Sequence, residues 1–171
     1  MSSFNSRLRF AALAAAAAML SVCIQPLYGP MSNNPSLADE LQAIEVAPIA
    51  ERDGHYVRNE LIFAFNGTGS EVTPRYRLTV TLREQARSPI VDTVTYRATS
   101  ATVILDPTYK LVTIPDGKEV TKGIATTIAR YDRLSSRIAN VRAARDAEQR
   151  DARTVADALR TRIAAALADR R

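Results

Sequence analysis

The sequence predicts an α+β fold, a two-layer sandwich in which two helices pack on a four-stranded, mostly antiparallel sheet. Three observations support this fold class: four segments in which apolar residues alternate with period two, a helical stripe between the first two, and a long C-terminal segment without Pro or Gly. The chain has 171 residues, a length that suits a single domain.

The first strand is predicted at residues 41–46, where apolar and polar side chains alternate before Pro48. A helix is predicted next at residues 54–66, with Asp53 as its N-cap and Gly67 as its end. The apolar side of this helix is expected to follow the spacing of Arg58, Leu61, Ile62 and Phe65.

Three more strands follow in series. The first covers residues 75–83, the second about 96–114, and the third about 119–132. An irregularity is expected at Pro107, since proline cannot donate to a β-ladder, and the pair Asp116-Gly117 predicts a hairpin turn. These strands are expected to form an antiparallel meander, which the first strand–helix–strand unit joins by a right-handed crossover.

The last helix is predicted at residues 136–169, a segment rich in Ala, Arg and acidic residues. Its apolar stripe recurs every four residues and is expected to pack on the sheet. The stripe consists of Val155, Leu159, Ile163 and Leu167.

The net charge of +5 is unevenly distributed. Residues 1–38 contribute two arginines and no acid, residues 39–129 hold ten basic against twelve acidic residues, and residues 130–171 hold eleven basic against six acidic residues. Much of the C-terminal excess has acids four residues away on the same helix, and no aromatic residue follows Tyr131. The charge pattern therefore does not favour a nucleic-acid partner.

The N-terminus has the features of an export signal. Arg7 and Arg9 precede an apolar run at residues 10–20, which is too short to span a bilayer. Cleavage after Ala18 would release a soluble periplasmic protein. Cleavage before Cys23 would follow Leu-Ser-Val-Cys, which resembles the lipobox of bacterial lipoproteins but has Val22 where a small residue is usual.

The sequence thus divides into a signal peptide (1–22), a lipid-anchored linker (23–38) and a single α+β domain (39–171). The domain offers no catalytic constellation and no metal or cofactor site. His55 is the only histidine, Cys23 is the only cysteine, and no serine lies in a nucleophile elbow. We therefore expect a protein that is not an enzyme.

The chain resembles the LPS-assembly lipoproteins of the LptE family, in particular their alphaproteobacterial members. The Cys-x-x-Pro-Leu-Tyr-Gly run at residues 23–29 is similar to the start of the mature family proteins, although these have Gly-Phe where this chain has Ile24-Gln25. Further similarities cover most of residues 20–168. They are the Asp116-Gly117-Lys118 hairpin, Arg130-Tyr131-Asp132, and Arg145-Asp146-Ala147-Glu148 in the terminal helix.

The resemblance implies two helices on a four-stranded sheet, and a lipoprotein anchored through acylated (palmitate-bearing) Cys23 at the periplasmic face of the outer membrane. It further implies a plug and assembly partner of an LptD-like outer-membrane β-barrel, which delivers lipopolysaccharide to the cell surface. Two alternatives remain open from the residues. One is a free periplasmic lipid- or protein-binding lipoprotein accessory to envelope transport, and the other is a small hydrolase or lyase that uses His55.

Five cationic residues are candidates for contact with lipopolysaccharide phosphates. Arg75, Arg77 and Arg83 are separated by even numbers and so share one face of a strand, while Lys118 and Lys122 flank the hairpin turn. The alternative for each residue is a solvated strand face or a salt bridge.

Overall fold

The structure, a computed structural model, describes residues 36–67, 71–87 and 99–170, together with residue 69. In these residues the order of helices and strands is α1 Leu37–Gln42, β1 Ile44–Val46, α2 Glu51–Asn66, β2 Tyr76–Thr81, β3 Glu84–Arg87, β4 Ser100–Leu105, β5 Thr108–Thr113, β6 Glu119–Ile124, β7 Thr127–Asp132 and α3 Arg137–Ala168. The α+β class is confirmed.

The predicted first strand is correct only in its second half. Leu41 and Gln42 end helix α1, and β1 begins at Ile44. A capping box starts α1: the Asp39 N–H donates to Ser36 Oγ at 3.2 Å, and the Ser36 N–H donates to Asp39 Oδ2 at 2.9 Å. Leu37 and Leu41 are buried one turn apart, so helical burial outweighs the alternation of residues 41–46.

Helix α2 starts earlier than predicted. Its N-cap is Ala50 rather than Asp53, which lies in the first turn and is buried. The buried stripe is Val57, Leu61 and Phe65. The preceding segment approaches this turn so closely that a Cβ on Gly54 would lie 2.9 Å from the carbonyl oxygen of Ile49, which explains the glycine. The helix ends at Gly67, as predicted.

The three predicted strands of the meander are present, and each is broken once. The first continues to Arg87, four residues beyond its predicted end at residue 83. The three interruptions lie side by side, at residues 82–83, 106–107 and 125–126, and we call this row of interruptions the break. Pairing continues across it in one register. The first long strand pairs with the second from Tyr76 opposite Thr113 to Arg87 opposite Thr102. The second pairs with the third with the same continuity, apart from a shift between Leu111 and Val112.

The irregularity predicted at Pro107 is confirmed as the centre of the break. Pro107 has no N–H to donate, but its carbonyl accepts from Ala125 N–H at 3.0 Å, and Asp106 N–H donates to the carbonyl of Arg83 at 2.9 Å. The break divides the sheet into a four-stranded part, in the order β1-β2-β5-β6, and a three-stranded part, in the order β3-β4-β7. Strand β1 is parallel to β2, and the other pairs are antiparallel.

Helix α3 confirms the predicted C-terminal helix. Ser136 caps it, and the stripe from Val155 to Leu167 is buried against the rest of the molecule. The helix packs along α2 and on β7. Two of its arginines reach the outermost strand of each part of the sheet: Arg150 donates to the carbonyl of Arg130 at 3.1 Å, and Arg162 donates to that of Ile124.

The hairpin between β5 and β6 is also as predicted. Gly117 has a φ of 63°, a left-handed conformation that suits glycine, and its N–H donates to the carbonyl of Thr113 at 3.0 Å. Side chains alternate along every long strand between an inner face, which the helices cover, and an outer face away from them.

Candidate functional site

The candidate site lies on the outer face of the four-stranded part of the sheet. Parallel pairing of β1 with β2 places Glu45 directly opposite Arg77, and antiparallel pairing of β5 with β6 places Lys110 opposite Lys122. These residues occupy neighbouring rows, because successive outward positions on one strand are two residues apart. A band of charges of both signs therefore crosses this end of the sheet.

Ion pairs connect the charges of this band. Arg77 Nε lies 3.1 Å from Glu45 Oε2, and Lys122 Nζ lies 3.0 Å from Glu119 Oε1. The Nζ atom of Lys110 lies 3.6 Å from the other Glu119 oxygen. The hydrogen bond from Lys122, together with the charges of both lysines, lowers the pKa of Glu119. We call Arg77, Lys110 and Lys122 with their two glutamates the cationic band; it carries three positive and two negative charges.

The other three predicted cations do not join the band. Arg75 precedes β2 at the hairpin end of the sheet, where its carbonyl accepts from Ile114 N–H at 2.9 Å. Lys118 lies in the hairpin itself, and its N–H donates to Thr113 Oγ1 at 3.1 Å. Arg83 lies at the break, six residues from Arg77, which corresponds to roughly 20 Å along a strand.

The hairpin next to the band is held by its own polar contacts. Asp116 accepts from the hydroxyl of Thr113 and, at 3.3 Å, from the N–H of Lys118. These hydrogen bonds, that of Thr113 first, lower the pKa of the Asp116 carboxyl. Asp116 is thus ionised at neutral pH and offsets part of the positive charge at this end of the sheet.

A second unusual group of side chains lies between the helices and the three-stranded part of the sheet. Asp53 from α2, Glu84 from β3, and Glu148 and Asp151 from α3 form what we call the carboxylate cluster. Asp53, Glu148 and Asp151 are buried, and Arg52 provides a cation: its Nη2 lies 2.7 Å from Glu148 Oε1 and its Nε lies 3.9 Å from Asp53 Oδ1. The sequence analysis did not find this cluster.

Burial and mutual repulsion hold protons in the cluster. A hydrogen bond with Asp53, burial, and the charges of Asp53 and Glu148 raise the pKa of Glu84 to about 7. Burial first, then the charge of Asp53, raises the pKa of Glu148, and burial raises that of Asp151. The hydrogen bond with Asp53 is the largest of these causes for Glu84, which is itself an exposed residue beside the buried members of the cluster.

Two cluster oxygens, Asp53 Oδ1 and Glu148 Oε2, lack a hydrogen-bond partner within the described residues. The Thr127 hydroxyl lies beside the Asp151 carboxyl and opposes the rise of its pKa, but burial has the larger effect. A buried carboxylate without partners is costly in its charged form, which agrees with the raised pKa values. In the part of the chain that the structure describes, no group of three or more His, Cys, Asp or Glu side chains is arranged to hold a metal ion.

The only histidine lies on the surface. His55 is exposed in the second turn of α2, its Nε2 atom is 3.1 Å from Asn59 Nδ2, and its ring is tilted against that of Tyr56. Its contacts are those of a solvated side chain. The signal peptide and Cys23 lie outside the described residues, so the predicted lipid anchor has no structural description. Among the described helices, none combines the length and apolarity needed to cross a membrane.

Comparisons with known proteins identify the fold. No protein-family model matches the chain, and no curated protein matches it in sequence. A protein from Caulobacter crescentus CB15 that is predicted to be a lipoprotein has a similar structure, with a TM-score of 0.66 and 24% identity; the alignment covers 79% of this chain and 97% of that one.

Two further solved structures share the fold. One is a minor lipoprotein from Acinetobacter baumannii, with a TM-score of 0.51, 16% identity, and coverage of 71% of this chain and 88% of that one. The other is rare lipoprotein B from Shewanella oneidensis, with a TM-score of 0.51, 12% identity, and coverage of 74% and 93%. The two-layer arrangement of this chain is therefore one that several solved lipoproteins adopt over most of their length.

Proposed function

We propose that this chain is an outer-membrane lipoprotein that is anchored through Cys23 and acts as the plug and assembly partner of an LptD-like β-barrel in lipopolysaccharide transport. Its role is structural, with no catalytic step. The observation that carries the proposal is the fold shared with three solved lipoproteins, which spans 97% of the Caulobacter protein. The lipobox-like Leu20-Ser21-Val22-Cys23 at the end of an apolar run supports the anchor.

The polarity and charge of the outer sheet face also support this role. A polar outer sheet face suits the water-filled lumen of a large barrel. In the cationic band, Arg77, Lys110 and Lys122 exceed their two glutamates by one charge, and all three side chains are more than half exposed. Their donors are available to the phosphates and acidic sugars of lipopolysaccharide by charge-assisted hydrogen bonds.

Purification from the native membrane tests the partner. A C-terminally tagged full-length chain, extracted from outer membranes in mild detergent, is expected to elute with one large β-barrel protein. Elution of the tagged chain alone would contradict the barrel partnership and favour a free periplasmic lipoprotein. The Cys23→Ser variant tests the anchor. It is fractionated in the absence of the barrel and after a high-salt wash, which removes electrostatic adsorption, and it is expected to leave the membrane fraction. Full membrane retention under these conditions would contradict the anchor.

Binding of lipopolysaccharide tests the cationic band separately. The double variant Arg77→Glu/Lys122→Glu is expected to weaken binding of purified lipopolysaccharide severalfold, because it replaces two donors by charges that repel phosphate. Arg170→Glu, an exposed arginine after the end of α3, is the control and is expected to bind like the parent. Equal binding by the double variant would remove the band from the proposal and leave the barrel partnership unaffected.

A further inference from the structure

The first turns of α3 lie against the body of the protein on one side only, where Ala139, Asn140, Ala143 and Ala144 are half-buried. None of residues 137–146 is buried, whereas Ala147 is the first of ten buried residues along the remainder of the helix. At 1.5 Å per residue, this leading segment is about 15 Å long. We call residues 134–146, which include the preceding loop residue Leu134, the projecting segment.

The projecting segment exposes large apolar side chains. Leu134, Ile138 and Val141 are 65%, 69% and 46% exposed, respectively. Helical geometry places Ile138 and Val141 about 60° apart around the helix axis, so both lie on one side. Such residues on the outward side of a helix do not contribute to the core, and a helix needs no exposed aliphatic residues for its own stability.

Arginines flank these apolar side chains. Around the helix axis, Arg137, Arg142 and Arg145 lie within about 70° of the midpoint between Ile138 and Val141. Within the described residues, no ion pair involves Arg137 or Arg142. The nearby acids are already engaged, because Asp146 Oδ2 is 2.8 Å from Arg150 Nε and Glu148 binds Arg52.

Exposed aliphatic side chains beside arginines favour one kind of binding surface. Three aliphatic side chains surrounded by arginines match the boundary between acyl chains and anionic headgroups: the aliphatic groups enter the apolar layer and the guanidinium groups bind phosphate. We propose that the projecting segment is a second membrane contact, which seats on a bilayer surface that contains anionic phospholipid. It is separate from the cationic band and from the anchor at Cys23, and it requires neither the barrel nor lipopolysaccharide.

A second membrane contact would fix the orientation of the protein, which a lipid anchor alone does not. An acyl anchor alone leaves the body free to rotate about the linker, whereas a second seat some distance away fixes which side of the body faces the membrane. The segment lies at the start of α3, and the chain leaves α1 toward the anchor at Ser36, so the two attachments are on different elements.

The chain contains no tryptophan, so a single introduced tryptophan reports on its own position. Ile138→Trp is compared with Ile124→Trp, an equally exposed isoleucine on the outer face of the sheet, 69% against 60%. Both full-length lipid-anchored proteins are reconstituted in vesicles of phosphatidylcholine with phosphatidylglycerol. The tryptophan of Ile138→Trp is expected to shift its emission to the blue and to be quenched by brominated lipid, while that of Ile124→Trp keeps the emission of a solvated indole.

Charge variants and lipid composition complete the test. The shift at Ile138→Trp is expected to be lost in vesicles of phosphatidylcholine alone, in high salt, and in combination with Arg137→Glu/Arg142→Glu. It is expected to persist with Arg75→Glu/Lys118→Glu, which changes the net charge equally at the hairpin end of the sheet and leaves the cationic band intact.

A solvated emission at both positions in anionic vesicles would overturn the proposal. Equal shifts at both positions would also overturn it, because they would indicate general adsorption. A shift that requires the co-purified barrel and is absent in protein-free vesicles would assign the segment to a protein partner and refute the membrane contact. None of these results depends on whether lipopolysaccharide binds, so failure here is distinguishable from failure of the proposed function.

Discussion

The two parts of the sheet lie under the same helical layer but differ in what is buried against them. The inner face of the four-stranded part is apolar, with Leu78, Val80 and Leu111 buried, and α2 contributes Val57 and Leu61 to the same core. The three-stranded part also buries apolar side chains, among them Val103 and Leu105, but here the helices bury carboxyl groups as well. Both parts thus supply stability through apolar burial, and the three-stranded part adds a dependence on protons.

The largest effect is expected in the four-stranded part. Leu111→Ala removes a fully buried side chain from β5 and should lower the free energy of unfolding by about 2–5 kcal/mol, because it combines lost transfer energy with a cavity. Urea unfolding followed by circular dichroism measures it. Leu134→Ala, at a mostly exposed position, should change stability by less than about 0.5 kcal/mol. Equal effects of the two variants would refute the assignment of the core.

At the carboxylate cluster, a substitution is expected to stabilise the protein rather than to destabilise it. Asp151→Asn replaces a buried carboxyl group whose pKa is raised by burial, and it should raise the free energy of unfolding at pH 8 by about 1–3 kcal/mol, because the neutral amide avoids the cost of a buried charge. The gain should shrink in acid, where Asp151 is protonated. Asp157→Asn, an exposed position on the same helix, is the matched control and should be nearly neutral. A destabilised Asp151→Asn would mean that the carboxylate is satisfied in the folded protein.

Substitution of Glu84 is expected to have a smaller effect on stability, and this effect depends on pH. Its pKa is raised from 4.5 to about 7, so the folded protein binds its proton more tightly than the unfolded chain does. Its contribution is therefore fully present below pH 4.5 and is lost as the pH rises to about 7. Glu84→Gln should flatten the decline of the urea midpoint between these values.

Glu119→Gln is the control, because it is expected to change the pH dependence of stability in the opposite direction. Its pKa is lowered, so its contribution is present at neutral pH and is lost on acidification. If Glu84→Gln left the pH dependence of the parent unchanged, the raised pKa of Glu84 would be disproved.

The sequence predicted the features that depend on local periodicity. The long strands, their break at Pro107, the hairpin at Gly117 and the stripe of α3 follow from alternation, a missing donor, a left-handed turn and helical spacing. The start of the domain was misassigned because residues 41–46 satisfy an alternating pattern by chance. The capping signal Ser36-x-x-Asp39 was visible in the sequence and, given weight, would have indicated α1.

The sites were less predictable because their partners are distant in sequence. Even spacing placed Arg77 on an outward face, but only the pairing of β1 with β2 brings Glu45 beside it. Lys110 was missed, although its strand position opposite Lys122 follows from the hairpin register. In the carboxylate cluster, Asp53 and Glu148 come from different helices, and no local pattern connects them. Asp53 was assigned as an N-cap from its sequence context, and its place in the carboxylate cluster was therefore missed.

The two arginines of α3 that bind β6 and β7 have a consequence for assembly. These strands are the outermost of their sheet parts, and such edges are templates on which strands of other chains can add. Here the guanidinium groups of Arg150 and Arg162 already occupy the carbonyls of Arg130 and Ile124. An incoming strand would first have to displace both. These two contacts disfavour strand addition at β6 and β7, and so oppose fibril-like self-association on this side of the molecule.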